Sequence, residues 1–429
     1  MTPPRASAGE HLTESATCLG CGCTCDDITV VAQGDRIVEA RNACTLGTAW
    51  FGDGRVPATV RIAGRDADVD AVLDEAARLL MRAQRPLVYL GPDISCEAQR
   101  EGVAIADVLC AALDSVTSNG AMSSLLAAQE RGRASATLGQ VKNFADVIVF
   151  WGVDPSLRYP RYASRYAPDP AGLGTPAGRG SRTVIAVDID DSRGPADADV
   201  RVSLTGGEEV ATLTALGAIV SGPARLAAAS GGPWARADEL APALLAGSYV
   251  TVVADAEQPA GLPGSDPGRA AALIALTQAL NGPTRCALSL LRAGGNRSGA
   301  DAVTTWQTGY PAGVDFARGY PLYRPHDGAA ARLSRRHVDG ALVLGSVALI
   351  PADIVSSLAR VPCAVIGPRA SESPLAGCDA LIDTGVAGIH EEGSAIRMDD
   401  VPLPLRPSVT GPRSAADVVR GLRERVAGR

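Results

Sequence analysis

The chain has 429 residues, of which 46% are hydrophobic and 20% are charged, so it is long enough for two or three domains with buried cores. Its formal net charge of −7 argues against a nucleic-acid-binding surface. The first residues lack a basic segment followed by an apolar one, and no apolar run reaches about 18 residues, so we expect a cytoplasmic protein with no signal peptide and no membrane span.

A group of cysteines near the N-terminus is the first strong motif. Cys18, Cys21, Cys25 and Cys44 are separated by two, three and eighteen residues, and Cys23 is left over in the same loop. Short spacings followed by a distant fourth thiolate suit a 4Fe-4S cluster, while zinc or an empty site are the alternatives. The alternating run before the last of these cysteines contains a Gly-Asp turn. It predicts a β-hairpin that returns Cys44 to the first three thiols.

Beyond the cysteines, apolar runs of strand length alternate with segments of helical periodicity. The predicted helices are residues 70–82, 97–113, 207–220, 236–246 and 269–280. The predicted strands are residues 85–91, 145–150, 182–188, 249–254, 286–290, 341–345, 363–367 and 380–383. This alternation predicts an α/β protein with parallel sheets. Polar residues that follow such strands, as Asp188 does, are expected at the carboxyl edge of the sheet, where ligands bind.

Four further stretches carry a family resemblance. They are residues 151–155 with 159–166, 187–188 with 198–199, 306–311 with 314–320, and 392–399. In this order, and together with the N-terminal cysteines, they resemble the B subunit of formylmethanofuran dehydrogenase. The resemblance covers nearly the whole chain.

The resemblance implies a particular domain organisation. The family has the large-subunit fold of the molybdopterin oxidoreductases, in which a small cysteine-rich β domain precedes two α/β domains that face each other across a pterin cleft, as in domains I–III of formate dehydrogenase. Carried over to this chain, residues 1–60 would form the cysteine-rich domain. Residues 61–117 with 316–429 would form a discontinuous α/β domain, and residues 118–315 a Rossmann-like α/β domain.

The chain departs from the family pattern where the metal would be bound. Active members have a cysteine or selenocysteine, followed by His-Gly, as the ligand of molybdenum or tungsten, whereas this chain has Ser118, Asn119 and Gly120. The histidines of the family's His-Pro-Arg-His stretch are likewise replaced by Tyr159 and Tyr162. Read without the resemblance, Ser-Asn-Gly is ordinary turn chemistry. A serine can ligate molybdenum in some relatives, but losing the histidine as well removes the acid–base group from beside the metal. We therefore expect molybdopterin to be absent.

A family member that has lost its metal ligand is similar to the B subunit of the bacterial formyltransferase/hydrolase complex of methylotrophs. That likeness implies a non-redox scaffold subunit, which works beside the formyltransferase, hydrolase and C subunits in the conversion of formyl-tetrahydromethanopterin to formate through formyl-methylofuran. It also implies contact with the polyglutamate tail of methylofuran. Arg158, Arg161 and Arg165 are the candidates for that contact, since guanidinium groups suit carboxylates. A solvated or packing face is the plainer interpretation of the same arginines.

Two rival functions stay open at the level of sequence. One is an active molybdopterin or tungstopterin formylmethanofuran dehydrogenase, with Ser118 or no protein group on the metal. The other is a free-standing iron–sulfur electron carrier.

Overall fold

The computed structural model describes residues 10–222, 231–257 and 268–428. The chain divides into two compact units, Met1–Asn119 with Ala293–Arg429 (unit 1) and Gly120–Arg292 (unit 2). The three-part division that the resemblance implies stays a prediction beside this partition. No helix within the described ranges is both long and apolar enough to cross a membrane.

The strands of the described residues are numbered in chain order. They are β1 (Glu10–Ala16), β2 (Ile28–Gln33), β3 (Arg36–Arg41), β4 (Val60–Ile62), β5 (Arg65–Asp66), β6 (Pro86–Leu90), β7 (Ala112–Ser115), β8 (Val147–Trp151), β9 (Thr183–Ile189), β10 (Val200–Leu204), β11 (Tyr249–Asp255), β12 (Arg285–Leu291), β13 (Val314–Asp315), β14 (Leu322–Tyr323), β15 (Gly340–Leu344), β16 (Cys363–Gly367), β17 (Ala380–Asp383), β18 (Gly393–Ile396) and β19 (Pro402–Leu405).

The α-helices are numbered in the same way. They are α1 (Thr45–Phe51), α2 (Val69–Arg82), α3 (Cys96–Val108), α4 (Thr117–Gly120), α5 (Met122–Arg131), α6 (Leu138–Phe144), α7 (Tyr162–Arg165), α8 (Gly206–Val220), α9 (Gly232–Leu245), α10 (Arg269–Leu280), α11 (Arg297–Thr308), α12 (Ala329–Ser334), α13 (Ala352–Leu358) and α14 (Ala415–Val426). Short 3-10 helices lie at Pro155–Leu157, Gly178–Ser181, Val347–Leu349 and Ala370–Glu372.

Unit 2 is built on a five-stranded sheet in the order β10-β9-β8-β11-β12, in which every neighbouring pair is parallel. Strands such as β8 are buried at every residue, because helices cover a parallel sheet on both faces. The chain leaves β8 on one side of the sheet to form β9 and β10, and forms β11 and β12 on the other side. The carboxyl ends of β8 and β11 therefore flank a topological switch point.

Unit 1 is built on a nine-stranded sheet in the order β14-β13-β7-β6-β15-β16-β17-β4-β5. Its centre, from β7 to β17, is parallel, and antiparallel pairs close both edges. One apolar cluster packs α2, α3 and α14 on one face, and a second packs α12 and α13 on the other. The switch point of this sheet lies between β6 and β15. The α/β fold class expected from the sequence is thereby confirmed.

The N-terminal region is a three-stranded antiparallel sheet in the order β1-β2-β3. The hairpin predicted between the cysteines is formed by β2 and β3, and Gly34 occupies its turn with a φ of +62°. A residue without a side chain suits that conformation. The neighbouring strand β1 was not predicted from the sequence.

One predicted helix is too long. The helix expected over residues 97–113 ends at Val108, and residues 112–115 form β7 against β6. Cys110 lies between the two elements with a φ of +51°, a left-handed conformation that stops an α-helix. Apolar residues continue at helical spacing through residues 109–113, so the sequence pattern did not show where the helix ends.

Candidate functional site

The switch point of unit 2 gathers the residues that follow β8 and β11. Trp151 is the last residue of β8, Asp255 is the last residue of β11, and the register pairs Trp151 with Ala254. Open α/β sheets bind ligands outside the carboxyl ends of their strands at such a point. The loop that leaves β8 carries Arg158, Arg161 and Arg165, so all three candidate arginines belong to a segment that begins at this edge.

Arg158 is already engaged by the protein. Its guanidinium group forms an ion pair with the carboxylate of Asp255, and its Cζ atom lies 5.4 Å from the centre of the Tyr159 ring. Burial raises the pKa of Asp255, and the charge of Arg158 opposes that rise. The guanidinium group therefore compensates a buried acid, which reduces the charge that Arg158 presents to any ligand.

Arg161 precedes the short helix α7, Arg165 is the last residue of that helix, and both are half-buried. The Cζ atom of Arg165 lies 5.2 Å from the centre of the Tyr166 ring, which is buried beneath it. Such stacking holds a guanidinium plane in place.

Tyr159 and Tyr162, which the resemblance matched to histidines of the family, are packing residues in the structure. Tyr159 is 1% exposed, and its hydroxyl donates to the backbone oxygen of Arg292 at 2.9 Å. Tyr162 is 0% exposed and meets Phe150 edge to face, with ring centroids 6.4 Å apart. Both rings anchor the loop to unit 2.

Sequence reasoning missed the charged residues behind this loop. Glu209 accepts hydrogen bonds from Trp151 Nε1 at 2.8 Å and from Arg269 Nε at 2.7 Å. Arg292, which follows β12, donates through Nε to Glu257 Oε1 at 2.8 Å, and both side chains are more than nine-tenths buried. Buried charges of this kind persist only when they are paired, so these pairs fix the edge of the sheet.

Ser118 lies in unit 1, in the turn formed by α4. Its hydroxyl donates to the carboxylate of Asp114, which is buried in β7. The same carboxylate accepts from the backbone nitrogens of Ser115 at 2.9 Å, Gly313 at 3.3 Å and Ala329 at 2.5 Å. Burial raises the pKa of Asp114. The Ser118 hydroxyl is therefore part of a hydrogen-bond network inside the protein.

Asn119 was predicted to replace the family's histidine. Its side chain lies outside the described residues.

The four candidate thiols gather around Cys18. Burial raises the pKa of the Cys18 thiol, and the neighbouring charges of Cys21, Cys25 and Cys44 raise it further. A Cβ atom on Gly47 would lie 3.4 Å from Cys18 Sγ and 3.9 Å from Cys44 Sγ, so the glycine leaves room beside both sulfurs. Across the described ranges, no three or more His, Cys, Asp or Glu side chains are grouped as a single metal ion requires. The cluster stays a prediction.

The loop that carries these thiols is held by glycines. Gly295 donates its backbone N–H to the oxygen of Leu19 at 2.8 Å, and a Cβ atom on Gly294 would lie only 2.8 Å from the oxygen of Gly20. This Gly-Gly pair therefore lies directly against the backbone of the cysteine loop.

The arrangement of the sheets defines the class of fold. A cysteine-bearing antiparallel sheet and two parallel α/β sheets with switch points make this a mixed α/β protein of the kind that the sequence resemblance implied. A comparison with models of known protein families found no match. The chain is 33% identical over 420 residues to the B subunit of the tungsten-containing formylmethanofuran dehydrogenase 2 of Methanocaldococcus jannaschii, covering 93% of this chain and 94% of that one.

A second relative agrees with the first. The B subunit of the tungsten-containing formylmethanofuran dehydrogenase 2 of Methanococcus maripaludis is 30% identical over 456 residues, covering 96% of this chain and 98% of that one. The chain belongs to the family of formylmethanofuran dehydrogenase B subunits.

A solved structure shares the fold. It is a chain of the crystal structure of the formyltransferase/hydrolase complex (FhcABCD) from Methylorubrum extorquens in complex with methylofuran. The likeness has a TM-score of 0.71 at 24% identity and covers 86% of this chain and 99% of that chain.

The names of the curated relatives imply a tungsten centre. The residues around Ser118 do not fit a ligand of that metal, since the position offers no thiol and its hydroxyl is bound to Asp114. The four N-terminal thiols, by contrast, are of the donor type that iron–sulfur clusters use.

Proposed function

We propose that the chain is a cytoplasmic, non-redox scaffold subunit of a formyltransferase/hydrolase complex. In this role it supports the conversion of formyl-tetrahydromethanopterin to formate through formyl-methylofuran, while partner subunits carry out the chemistry. The observation that carries the proposal is the hydrogen bond from Ser118 to the buried carboxylate of Asp114, because it commits the only side-chain oxygen of Ser118 to the protein. Family membership and the fold support the setting.

The partners in this proposal are the formyltransferase, hydrolase and C subunits. The related complex of Methylorubrum extorquens was solved with methylofuran bound, and we extend that ligand to this chain. A scaffold needs a stable surface and no reactive group of its own. The paired buried charges of Glu209 with Arg269 and of Glu257 with Arg292 supply a rigid edge of that kind in unit 2.

We infer that Arg158, Arg161 and Arg165 contribute to holding the polyglutamate tail of methylofuran. All three belong to the segment that leaves the carboxyl end of β8 at the switch point of unit 2. Arg165 stacks on a buried tyrosine, so less side-chain entropy is lost when a carboxylate binds. The guanidinium group of Arg158 also pairs with Asp255.

We also infer that Cys18, Cys21, Cys25 and Cys44 hold a 4Fe-4S cluster. In this proposal the cluster stabilises the N-terminal sheet. Four thiols that would otherwise repel one another as thiolates become ligands of a common iron–sulfur group.

The alternative function is an active tungsten or molybdenum formylmethanofuran dehydrogenase. The naming of both curated relatives as tungsten-containing favours it. The two functions are separated by analysing the purified complex for metal and pterin, and by assaying viologen-linked oxidation of formylmethanofuran. The scaffold proposal expects neither pterin nor activity. Tungsten or molybdenum together with pterin, in amounts equal to this chain, would refute it.

A further inference from the structure

A pair of cysteines lies in unit 1, away from the sites described above. Cys363 opens β16, and Cys378 lies two residues before β17, the strand next to it. Asp379 joins the two segments, since its carboxylate accepts from the backbone nitrogen of Cys363 at 2.9 Å and its own nitrogen donates to the oxygen of Cys363 at 3.1 Å. These bonds fix the two thiols beside each other at the amino edge of the sheet.

Both thiols line one surface cavity. The cavity has a volume of about 430 Å³, and Arg360, Pro374 and Asp379 also form its wall. Cys363 is 3% exposed, whereas Cys378 is partly exposed. A small molecule that enters the cavity therefore reaches Cys378 first.

The contact between the thiols makes them unequal. A hydrogen bond from the Cys363 thiol lowers the pKa of Cys378, and the same bond, together with burial, raises the pKa of Cys363. The Cys378 thiol also lies 3.1 Å from the oxygen of Ala380. Since the thiolate is the nucleophile in thiol chemistry, Cys378 is the attacking group and Cys363 the resolving one.

We propose that Cys363 and Cys378 form a dithiol site that reacts with small disulfides and closes to an intramolecular disulfide. The Cys378 thiolate attacks one sulfur of the small disulfide and breaks its S–S bond. The first small thiol leaves with the proton that Cys378 gave up. Cys363 then loses its proton and attacks the Cys378 sulfur, which releases the second small thiol with that proton. Two protein thiols are oxidised, and one small disulfide is reduced to two thiols.

The test uses the full-length native protein and oxidised glutathione. After incubation, remaining thiols are alkylated and the protein is digested with trypsin without reduction. Cleavage after arginine separates the cysteines into peptides 361–369 and 370–397, each of which contains one cysteine. We expect a linked pair of these peptides that lacks two hydrogens, formed faster than the mixed disulfide at the exposed Cys110.

Variants assign the two roles. Cys363→Ser should leave glutathione on Cys378, because nothing resolves the mixed disulfide. Cys378→Ser should remove both glutathione and linkage from these peptides, because Cys363 is buried. Thermal unfolding of each variant checks that it folds. The proposal is overturned if native protein modified at Cys110 shows no linked peptides, or if Cys363 reacts equally well in the Cys378→Ser variant.

Discussion

Replacing Asp93 with asparagine should change how the stability of the protein depends on pH. Asp93 follows β6 at the switch point of unit 1, and its Oδ1 accepts from the backbone nitrogen of Ser346 at 2.7 Å. Gly345 permits this approach, since a Cβ atom there would lie 2.9 Å from the same oxygen. Burial raises the pKa of Asp93 from its ordinary value of 3.8 to about 6.

The size of the effect follows from linkage. An acid with a raised pKa in the folded state keeps its proton to higher pH than in the unfolded chain. Its contribution to stability is full below about pH 4 and is lost as the pH rises through about 6. A tenfold change in proton affinity is worth about 1.4 kcal/mol, so the loss amounts to about 3 kcal/mol. Asparagine keeps an acceptor oxygen for Ser346 and has no proton to lose.

The assay is urea unfolding of the parent protein and the Asp93→Asn variant at a series of pH values from about 4 to 7. Relative to the parent, the variant should gain roughly 2 to 3 kcal/mol in free energy of unfolding across this range. Asp107→Asn, a change at an exposed residue of the same unit, serves as the control for the loss of one carboxylate. A difference between variant and parent that stays flat with pH would show that Asp93 is ionised in the folded protein.

Three further changes test the other parts of the molecule. In protein that has been loaded with iron, Cys21→Ala should lower the melting temperature more than Cys23→Ala, and equal or reversed effects would contradict the ligand assignment. The double change Arg161→Ala, Arg165→Ala should reduce retention of methylofuran roughly tenfold at low salt and less at high salt, whereas unchanged retention in copurified complex would remove the arginines from the site. Ser118→Ala should cost about 1–2 kcal/mol in chemical denaturation, because Asp114 loses one hydrogen bond, and a neutral effect would count against this network.

The sequence was sufficient for much of the architecture. Runs such as residues 147–151 are apolar at every position, which a parallel sheet covered on both faces requires, and the structure places them at sheet centres. The Gly34 turn and the alternation around it predicted the N-terminal hairpin for a local reason, since both signals lie within a few residues. The ends of helices and strands were predicted less well, as the end of α3 before Cys110 shows.

The polar pairs at the carboxyl edge of the unit 2 sheet could not be predicted from the sequence. Arg158 and its partner Asp255 are 97 residues apart, and Trp151 and Glu209 are 58 apart. Their proximity depends on the order of the strands, which apolar periodicity does not encode. The only local signal was that a carboxylate follows the strand at residues 249–254. A strand-end acid beside a switch point needs a positive partner, and Arg158 fulfils that need.

The network around Asp114 ties together several parts of unit 1 around position 118. The carboxylate joins β7 to the backbone before β13 at Gly313 and to the start of α12 at Ala329. The buried side chain of Asp114 therefore holds three parts of unit 1 together. Ser118 adds a fourth donor to that carboxylate, which a cysteine, with its weaker S–H donor, would supply poorly. In the proposed scaffold role, serine at this position is favoured for the hydrogen bond it makes, and the surrounding backbone needs no metal to keep its place.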